Sequence, residues 1–297
     1  VQARGRSVLK TILITGASGF IGSRACSFFR NAGYLVRAHS RSPIPDQDVV
    51  VGDLQTEDAI EGACKDVDGI FHIAGLAHSR GVDEGALERV NVRWTRELAN
   101  AAKRRSVPFL FISSSKVYGE TGHFSEASPL NPQDAYSRAK VRAEDEIQKS
   151  TDRFVILRPP PVYGVGSKGS LRFLIRAVQK GWPLPVGSIR SLRSYAFVDN
   201  LLSAAEMLLR SERSGIWNVT DDEDVSLADL AHRIARASRS SDFSFRFPLF
   251  PLRVMGILRP GMYDKVAGEF TLDIGRLKAC GYEPSFSVNE GLRIACR

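Results

Sequence analysis

Residues 11–22 of this chain, Thr11-Ile-Leu-Ile-Thr-Gly-Ala-Ser-Gly-Phe-Ile-Gly22, restrict what it can fold into more than any other stretch. An apolar run breaks into glycines spaced three apart and then resumes as an amphipathic segment, which reads as strand, turn and helix. Gly16 allows a sharp turn, Gly19 offers no side chain to obstruct a pyrophosphate, and Gly22 lets the helix pack against the strand it has just left. The N–H groups opening that helix, with the positive end of its dipole, suit an anion. The expected contacts of a bound dinucleotide are therefore Gly16, Ser18, Gly19, Phe20, Ile21 and Gly22. A glycine triplet alone is weak evidence, and its value here comes from the buried-looking strand directly before it.

At 297 residues, 43% of them hydrophobic and 25% charged, the chain can bury a large core as one domain or as two intimately joined ones. Cys26, Cys64, Cys280 and Cys296 are scattered without Cys-x-x-Cys pairing, which argues against a zinc site or other metal and against a disulfide framework. A reducing, cytoplasmic setting fits that usage. No apolar run approaches the ~20 residues of a membrane span. The basic start, Val1-Gln-Ala-Arg-Gly-Arg, lacks the apolar stretch of a signal peptide, and the absence of an initiating Met implies numbering that begins inside a longer chain. The net charge of +8 could serve nucleic acid, anionic headgroups or phosphorylated small molecules. The arginines are spread along the chain rather than interleaved with aromatics, so nucleic acid is disfavoured and phosphate-bearing ligands fit best.

Gly33 ends the first helix, and Tyr34-Leu-Val-Arg-Ala-His39 reads as a second strand, with Ser40-Arg-Ser-Pro-Ile-Pro45 as a loop. A dinucleotide's adenosine ribose would lie at the end of that strand, where an NAD site usually places a carboxylate for the 2′-hydroxyl. Ser40 and Arg41 stand there instead, and a hydroxyl with a guanidinium suits a 2′-phosphate, so NADP is favoured over NAD. Val49–Val51 ending in Gly52-Asp53-Leu54, Gly69–Ile73 ending in Ala74-Gly75, and Phe109–Ile112 are further strands. Glu84 to Lys103 has helical spacing, with Leu87, Val90, Trp94, Leu98 and Ala101 on one side. The alternation predicts an α/β chain with a doubly wound parallel sheet, a Rossmann domain, whose ligand sits at the carboxyl ends of the strands. Asp53, Leu54, Ala74, Gly75 and Ser113 to Ser115 fall on that rim.

Asn131-Pro-Gln-Asp134 reads as a helix start, with Asn131 as cap, Pro132 in the first turn and Asp134 satisfying free N–H groups. The helix carries Tyr136-Ser-Arg-Ala-Lys140, and residues four apart share a face, their Cβ atoms about 5–6 Å apart. A phenol of pKa near 10 is a poor proton shuttle at neutral pH, and lowering it by ~3 units takes ~4 kcal/mol of phenolate stabilisation. Lys140 and an oxidised nicotinamide could supply that. The pair alone could be coincidence; beside a glycine loop and a serine cluster at a strand end it points to proton transfer coupled to hydride chemistry.

Together these stretches resemble the extended short-chain dehydrogenase/reductase family, in particular its sugar-nucleotide epimerases, dehydratases and reductases. Thr15–Gly22, Asp53-Leu54, Ser113-Ser-Ser-Lys-Val-Tyr-Gly119, Tyr136-x-x-x-Lys140, Arg158-Pro-Pro-Pro-Val-Tyr-Gly164 and Arg193–Asp199 occur in the family's order over nearly the whole chain. The resemblance implies that Tyr136 is the acid/base, that Lys140 holds the nicotinamide ribose, and that Ser114 hydrogen-bonds the reacting sugar oxygen. It implies further that Pro159 borders the cofactor, that Ser115, Lys168 and Arg193 contact the nucleotide sugar, and that Arg193 meets its diphosphate. In relatives, helices matching 84–103 and 133–149 pair two copies in a four-helix bundle, although an amphipathic face reads the same whether it packs internally or against a twin.

Dehydratases of this family follow the Ser/Thr with Asp-Glu; here Ser115 and Lys116 stand in those places, so elimination of water lacks its machinery. Pro161 replaces an asparagine that contacts substrate in many epimerases. The expectation is a Rossmann domain over 8–163 and 192–220, with a smaller discontinuous α/β substrate lobe over 164–191 and 221–297. Within that lobe Ser226 and Ser287 should cap helices, and the aromatic stretch Phe243 to Leu258, with Arg246, Arg253 and Arg259, reads as core in preference to a membrane-surface anchor. The expected activity is NAD(P)H-dependent reduction of a nucleoside-diphosphate 4-keto-hexose, UDP the favoured nucleotide and NADP(H) favoured with NAD(H) open, in surface-polysaccharide biosynthesis, the look of residues 158–199 being similar to bacterial UDP-4-keto-6-deoxy-N-acetylhexosamine 4-reductases. A UDP-hexose 4-epimerase holding NAD uses the same three groups and is the alternative; intact Ser114, Tyr136 and Lys140 speak against a third, a non-catalytic dinucleotide sensor.

Overall fold

The structure is a computed structural model that describes residues 11–44, 49–54, 56–76, 83–246, 248 and 262–297. Seven strands make the principal sheet: β1 (Thr11–Thr15), β2 (Leu35–Ser40), β3 (Val49–Val51), β4 (Gly69–His72), β5 (Phe109–Ile112), β7 (Phe154–Arg158) and β11 (Gly215–Asn218). Their order is β11-β7-β5-β4-β1-β2-β3, and β1 pairs in parallel with both β2 and β4. The chain leaves β1 toward β2 and β3, then crosses over to β4 and proceeds the other way. The order therefore reverses between β1 and β4, where the carboxyl ends of a doubly wound sheet open a crevice for a ligand.

The central strands are apolar because both faces are covered, whereas the edge strand β3 leaves Val50 and Val51 exposed. Ile12, Leu13, Ile14, Ile70, Phe71, Phe109 and Leu110 are all wholly buried. Helix α1 (Phe20–Asn31) buries Gly22, Ala25, Cys26 and Phe29, a spacing that keeps one stripe on the sheet. Phe29 meets Phe71 and Tyr34 edge to face at 5.7 and 5.2 Å, so truncating it to alanine should cost ~3–5 kcal/mol. Gly33 closes the helix at φ +90° as expected.

Two expected elements differ in detail. The helix expected over Glu84 to Lys103 consists of α3 (Glu84–Leu87), a π-helical stretch over Glu88–Arg93 and α4 (Trp94–Arg105). Inside the π stretch, Asn91 accepts from the Leu76 N–H at 2.7 Å and donates to the Leu76 carbonyl at 3.0 Å, which offsets the irregular ladder. The helix carrying Tyr136, α5 (Ala135–Ser150), begins later than its expected cap. Asp134 caps it, accepting from the Ser137 N–H at 2.7 Å while its own N–H donates to the Ser137 hydroxyl. Asn131 is engaged elsewhere, its N–H on the Val117 carbonyl and its Oδ1 accepting from Gln133.

The remaining strands are β6 (Gly122–Phe124), β8 (Val162–Tyr163), β9 (Leu192–Arg193), β10 (Ala196–Phe197), β12 (Val225–Ser226) and β13 (Phe270–Leu272). They form a four-stranded sheet, β12-β9-β13-β6, and a pair, β10-β8. Helices α6 (Ser170–Gln179), α7 (Val198–Arg210) and α8 (Leu227–Ser238) complete the order with shorter segments, and α2 (Glu57–Ala63) lies earlier. Ser226 caps α8, and Ser287 caps the helix Val288–Ala295 with a full capping box to Glu290, both as expected.

Contacts divide the chain into two compact units, one of residues 1–112, 139–156 and 205–215, the other of 113–138, 157–204 and 216–297. This partition follows lines other than the expected boundary at 163/164. The strand-end loops after β5 and β7 group with the second unit because they bond to each other: the Ser113 N–H donates to the Leu157 carbonyl and the Ser115 N–H to that of Pro159. Of the stretch Phe243 to Leu258, only 243–246 and 248 lie among the described residues, and there the expectation of core fails, since Phe243 and Phe245 are exposed at 54% and 44%.

Candidate active site

In the first unit the glycine loop has the geometry its spacing predicts. Gly16 sits at φ +73°, and a Cβ there would come within 2.8 Å of the Ala74 backbone. A Cβ on Gly22 would land on the Gly16 carbonyl oxygen, so both positions exclude a side chain. Gly19 is the N-cap of α1, which has no side-chain cap and no acid in its first turn. Uncapped N–H groups at the positive end of a helix hold an anion, and a cradle that would not tolerate a Cβ is what a pyrophosphate requires. The loop therefore fits a dinucleotide.

At the end of β2, Ser40 is buried and donates from its hydroxyl to that of Ser18 at 2.9 Å, tying the strand end to the phosphate loop. Arg41 follows in an exposed position; Asp53 is exposed and Leu54 is buried. Ala74 abuts Gly16, and a Cβ on Gly75 would stand 3.1 Å from Asn91 Oδ1 and 3.8 Å from Lys140 Nζ. The structure thus gathers the β1, β2 and β4 termini around the loop.

Between these strand ends lies a buried network that sequence reasoning missed. His72 lies within hydrogen-bonding distance of Thr15 through Nδ1 (2.8 Å) and of Thr95 through Nε2 (3.0 Å). Thr15 Oγ1 already accepts from the Ile73 and Ala74 N–H groups, so its proton goes to Nδ1. Thr95 spends its proton on the Asn91 carbonyl, so Nε2 carries the ring hydrogen. Burial and the Lys140 charge push His72 down to about 3, keeping it neutral. Its partners are far away in the chain, and the only cue in sequence was a polar residue closing an apolar strand.

Lys140 is 4% exposed, on the first-unit portion of α5. It donates to the Ile112 carbonyl at 2.7 Å and stands 4.3 Å from the Phe111 ring centre. Burial pushes its ammonium down to about 7, opposed by the Glu144 charge.

In the second unit, Ser114 caps the turn Ser115–Val117, and its hydroxyl hydrogen-bonds Tyr136. The Tyr136 phenol is pushed up to about 12 by burial and the Asp134 charge, against the pull of Ser114, although the residue as a whole is only half-buried. Ser115 is buried and Lys116 pairs with Asp134 at 3.3 Å, so neither dehydratase position offers an acid. Arg158 donates to the Tyr118 hydroxyl at 2.9 Å, which donates to Asn218 at 2.9 Å, holding the loop after β5 in place. Arg193 donates to the Gly268 carbonyl at 2.7 Å and lies over Phe270, with its guanidinium pushed down by burial. Lys168 and Pro161 are exposed. Among the described residues no group of His, Cys, Asp and Glu is arranged to hold a metal, and no helix is long and apolar enough to cross a membrane.

A doubly wound parallel sheet whose first strand ends in this loop is a dinucleotide-binding fold. Residues 12–220 match the NAD dependent epimerase/dehydratase family, and the chain belongs to it. It is an NAD(P)-dependent enzyme of the sugar-nucleotide epimerase/dehydratase kind. A UDP-glucose 4-epimerase of Vibrio cholerae is 30% identical over 97% of this chain and 95% of its own. The UDP-N-acetylglucosamine 4-epimerase of Bacillus cereus shares the fold at a TM-score of 0.82, with 18% identity over 97% of this chain and 98% of that one. The UDP-glucuronic acid 4-epimerase of the same species, solved with NAD, gives 0.77, with 23% identity over 96% and 95%.

Proposed function

We propose that this protein reduces the C4 ketone of a nucleoside-diphosphate hexose, with NADPH as the hydride source. The observation that carries the reductase reading is the end of β2, where Ser40 locked to Ser18 and followed by Arg41 stands in place of the carboxylate that grips an unphosphorylated ribose. A bound nicotinamide supplies the hydride. Tyr136 gives its proton to the sugar O4, and burial keeps the phenol intact until it is needed. Ser114 holds the same oxygen and orients the phenol. Lys140 takes the ribose hydroxyls and, when charged, stabilises the phenolate left behind. Arg193, with Lys168 and Ser115, meets the substrate's diphosphate side, and the helices over 84–103 and 133–149 serve as the surface between two copies.

A 4-epimerase is the second reading, favoured by the 30% identity to the Vibrio cholerae enzyme over nearly its full length. Tyr136 would then first remove the O4 proton and later return it. Offering UDP-4-keto-6-deoxy-N-acetylhexosamine with NADPH, and separately UDP-N-acetylglucosamine alone, and identifying the products by NMR separates the two. The reductase consumes one NADPH per 4-hydroxyl formed and leaves UDP-N-acetylglucosamine untouched. Interconversion of C4 epimers without added reductant would instead establish the epimerase.

A further inference from the structure

Among the described residues the second unit carries four aromatic side chains at its surface: Phe173 at 61% exposure, Trp182 at 47%, Phe243 at 54% and Phe245 at 44%. Phe173, Trp182 and Phe243 lie close together, and Phe245 follows two residues on in the same tied segment. The Phe173 and Trp182 rings meet edge to face at 6.0 Å, and a Cβ on Gly181 would lie 3.2 Å from the Phe243 ring. The segments bearing them are tied together: the Leu184 N–H donates to the Phe243 carbonyl, the Phe245 N–H to that of Leu184, and the Gly187 N–H to that of Phe245. Scattered exposed rings need no explanation, whereas a contiguous group marks an interaction surface.

The charges on the segments bearing these rings are mostly positive. Residues 170–190 contain four cations, Arg172, Arg176, Lys180 and Arg190, and no acid. Helix α6 buries Leu171, Leu174, Ile175 and Val178, and presents Phe173, Arg176 and, just past its end, Lys180 along the opposite side. The Lys180 ammonium lies 5.5 Å from the Trp182 ring centre, and Arg246, exposed, follows Phe245. Asp242 is the one acid beside these aromatics in residues 240–246, and it is engaged by the Ser244 N–H and by His232.

We propose that this face binds the headgroup layer of an anionic lipid bilayer. Rings flanked by arginine and lysine suit the boundary between headgroups and acyl chains, where apolar surface sinks in and cations meet lipid phosphates and carboxylates. A protein partner would have to supply apolar complement and carboxylates at one register, whereas a bilayer supplies both at any register. The proposal is independent of which reaction the enzyme performs.

The experiment uses the full chain with vesicles of phosphatidylcholine alone or with about 30% phosphatidylglycerol, and reads sedimentation together with tryptophan fluorescence. Trp94 and Trp217 are buried at 7% and 3% exposure, so a lipid-induced change reports Trp182. Binding to the anionic vesicles only, with a blue shift and quenching by brominated lipid, is expected. Trp182→Phe should abolish the spectral change and keep binding; Arg176→Glu with Lys180→Glu should weaken binding at least about tenfold while circular dichroism and cofactor binding stay as in wild type. No binding to anionic vesicles, equal binding to both vesicle types, or a spectral change that survives Trp182→Phe would overturn the proposal. So would a solution dimer that Phe173→Ala with Trp182→Ala converts to monomer, which would make the face a contact between copies.

Discussion

Tyr136 and Lys140 stand one turn apart on the same helix, and burial moves their proton affinities in opposite directions, the phenol up to about 12 and the ammonium down to about 7. The phenol therefore remains an intact proton donor throughout the physiological range. The lysine is poised to change charge there, so under the proposed roles the group that would stabilise a phenolate is also the one that titrates. For reduction this arrangement supplies the donor without prior activation. For oxidation, on the proposed roles, the phenol would first have to lose its proton, which would call on the lysine charge.

Tyr136→Phe should abolish turnover and leave cofactor and nucleotide-sugar affinity nearly intact, because the ring still fills its place and only the transferable proton is lost. Acid/base catalysis contributes ~10²-fold or more, so a variant retaining over about a tenth of wild-type kcat would remove Tyr136 from that role.

The depressed ammonium makes Lys140 a stability liability with a defined pH window. Below about 7 it is protonated in both folded and unfolded chains and its burial penalty is fully felt. Between about 7 and the ordinary lysine value near 10.5 the unfolded chain binds the extra proton, so folding stability should rise with pH, by at most ~1.4 kcal/mol per unit. Lys140→Met should lack that rise. Urea titrations of both proteins at pH 6, 8 and 9.5 would show the two stabilities converging as pH increases, and parallel curves would place the lysine in a more hydrated setting.

Much of this was legible in sequence because it is local. Gly16, Gly19 and Gly22 specify a turn within a few residues, and Tyr136 and Lys140 share a helix face by spacing alone. The cap of α5 was misplaced by three residues, since Asn131 and Asp134 are both good cap residues and only the hydrogen bonds to Ser137 and Gln133 decide between them. The Thr15–His72–Thr95–Asn91 network was invisible, because its members come together only when β1, β4, the π-helical stretch and the start of α4 are assembled. The four-stranded sheet of the second unit was equally hidden: its strands are two or three residues long, too short to display an alternating pattern.

Arg193→Ala should raise KM for the nucleotide sugar and spare the cofactor, since a charge-assisted contact to a diphosphate is worth ~1.5–3 kcal/mol, about ten- to a hundredfold. The same change strips a donor from the Gly268 carbonyl, so a lower melting temperature should accompany it. Loss of stability with KM unaltered would show that the guanidinium serves only as a strut.

The cofactor preference tests the observation on which the reductase reading rests. If Arg41 grips a 2′-phosphate, wild-type enzyme should prefer NADPH over NADH, and Arg41→Ala should lose ~1.5–3 kcal/mol of NADPH binding with NADH affinity nearly unaltered. Ser40→Asp should act more strongly, because a carboxylate there repels a phosphate and accepts from a ribose hydroxyl, reversing the preference toward NADH. Ser40 also holds Ser18 at 2.9 Å, so Ser40→Ala is the control that removes this tie to the phosphate loop without adding charge, and it should weaken both cofactors alike. Fluorescence titration of each variant with both dinucleotides gives the four affinities directly. Equal use of the two cofactors by the wild type, unaltered by Arg41→Ala, would defeat the 2′-phosphate grip while leaving ketoreduction open. Enzyme that purifies with non-exchanging NAD and interconverts C4 epimers unaided would overturn the reductase reading altogether.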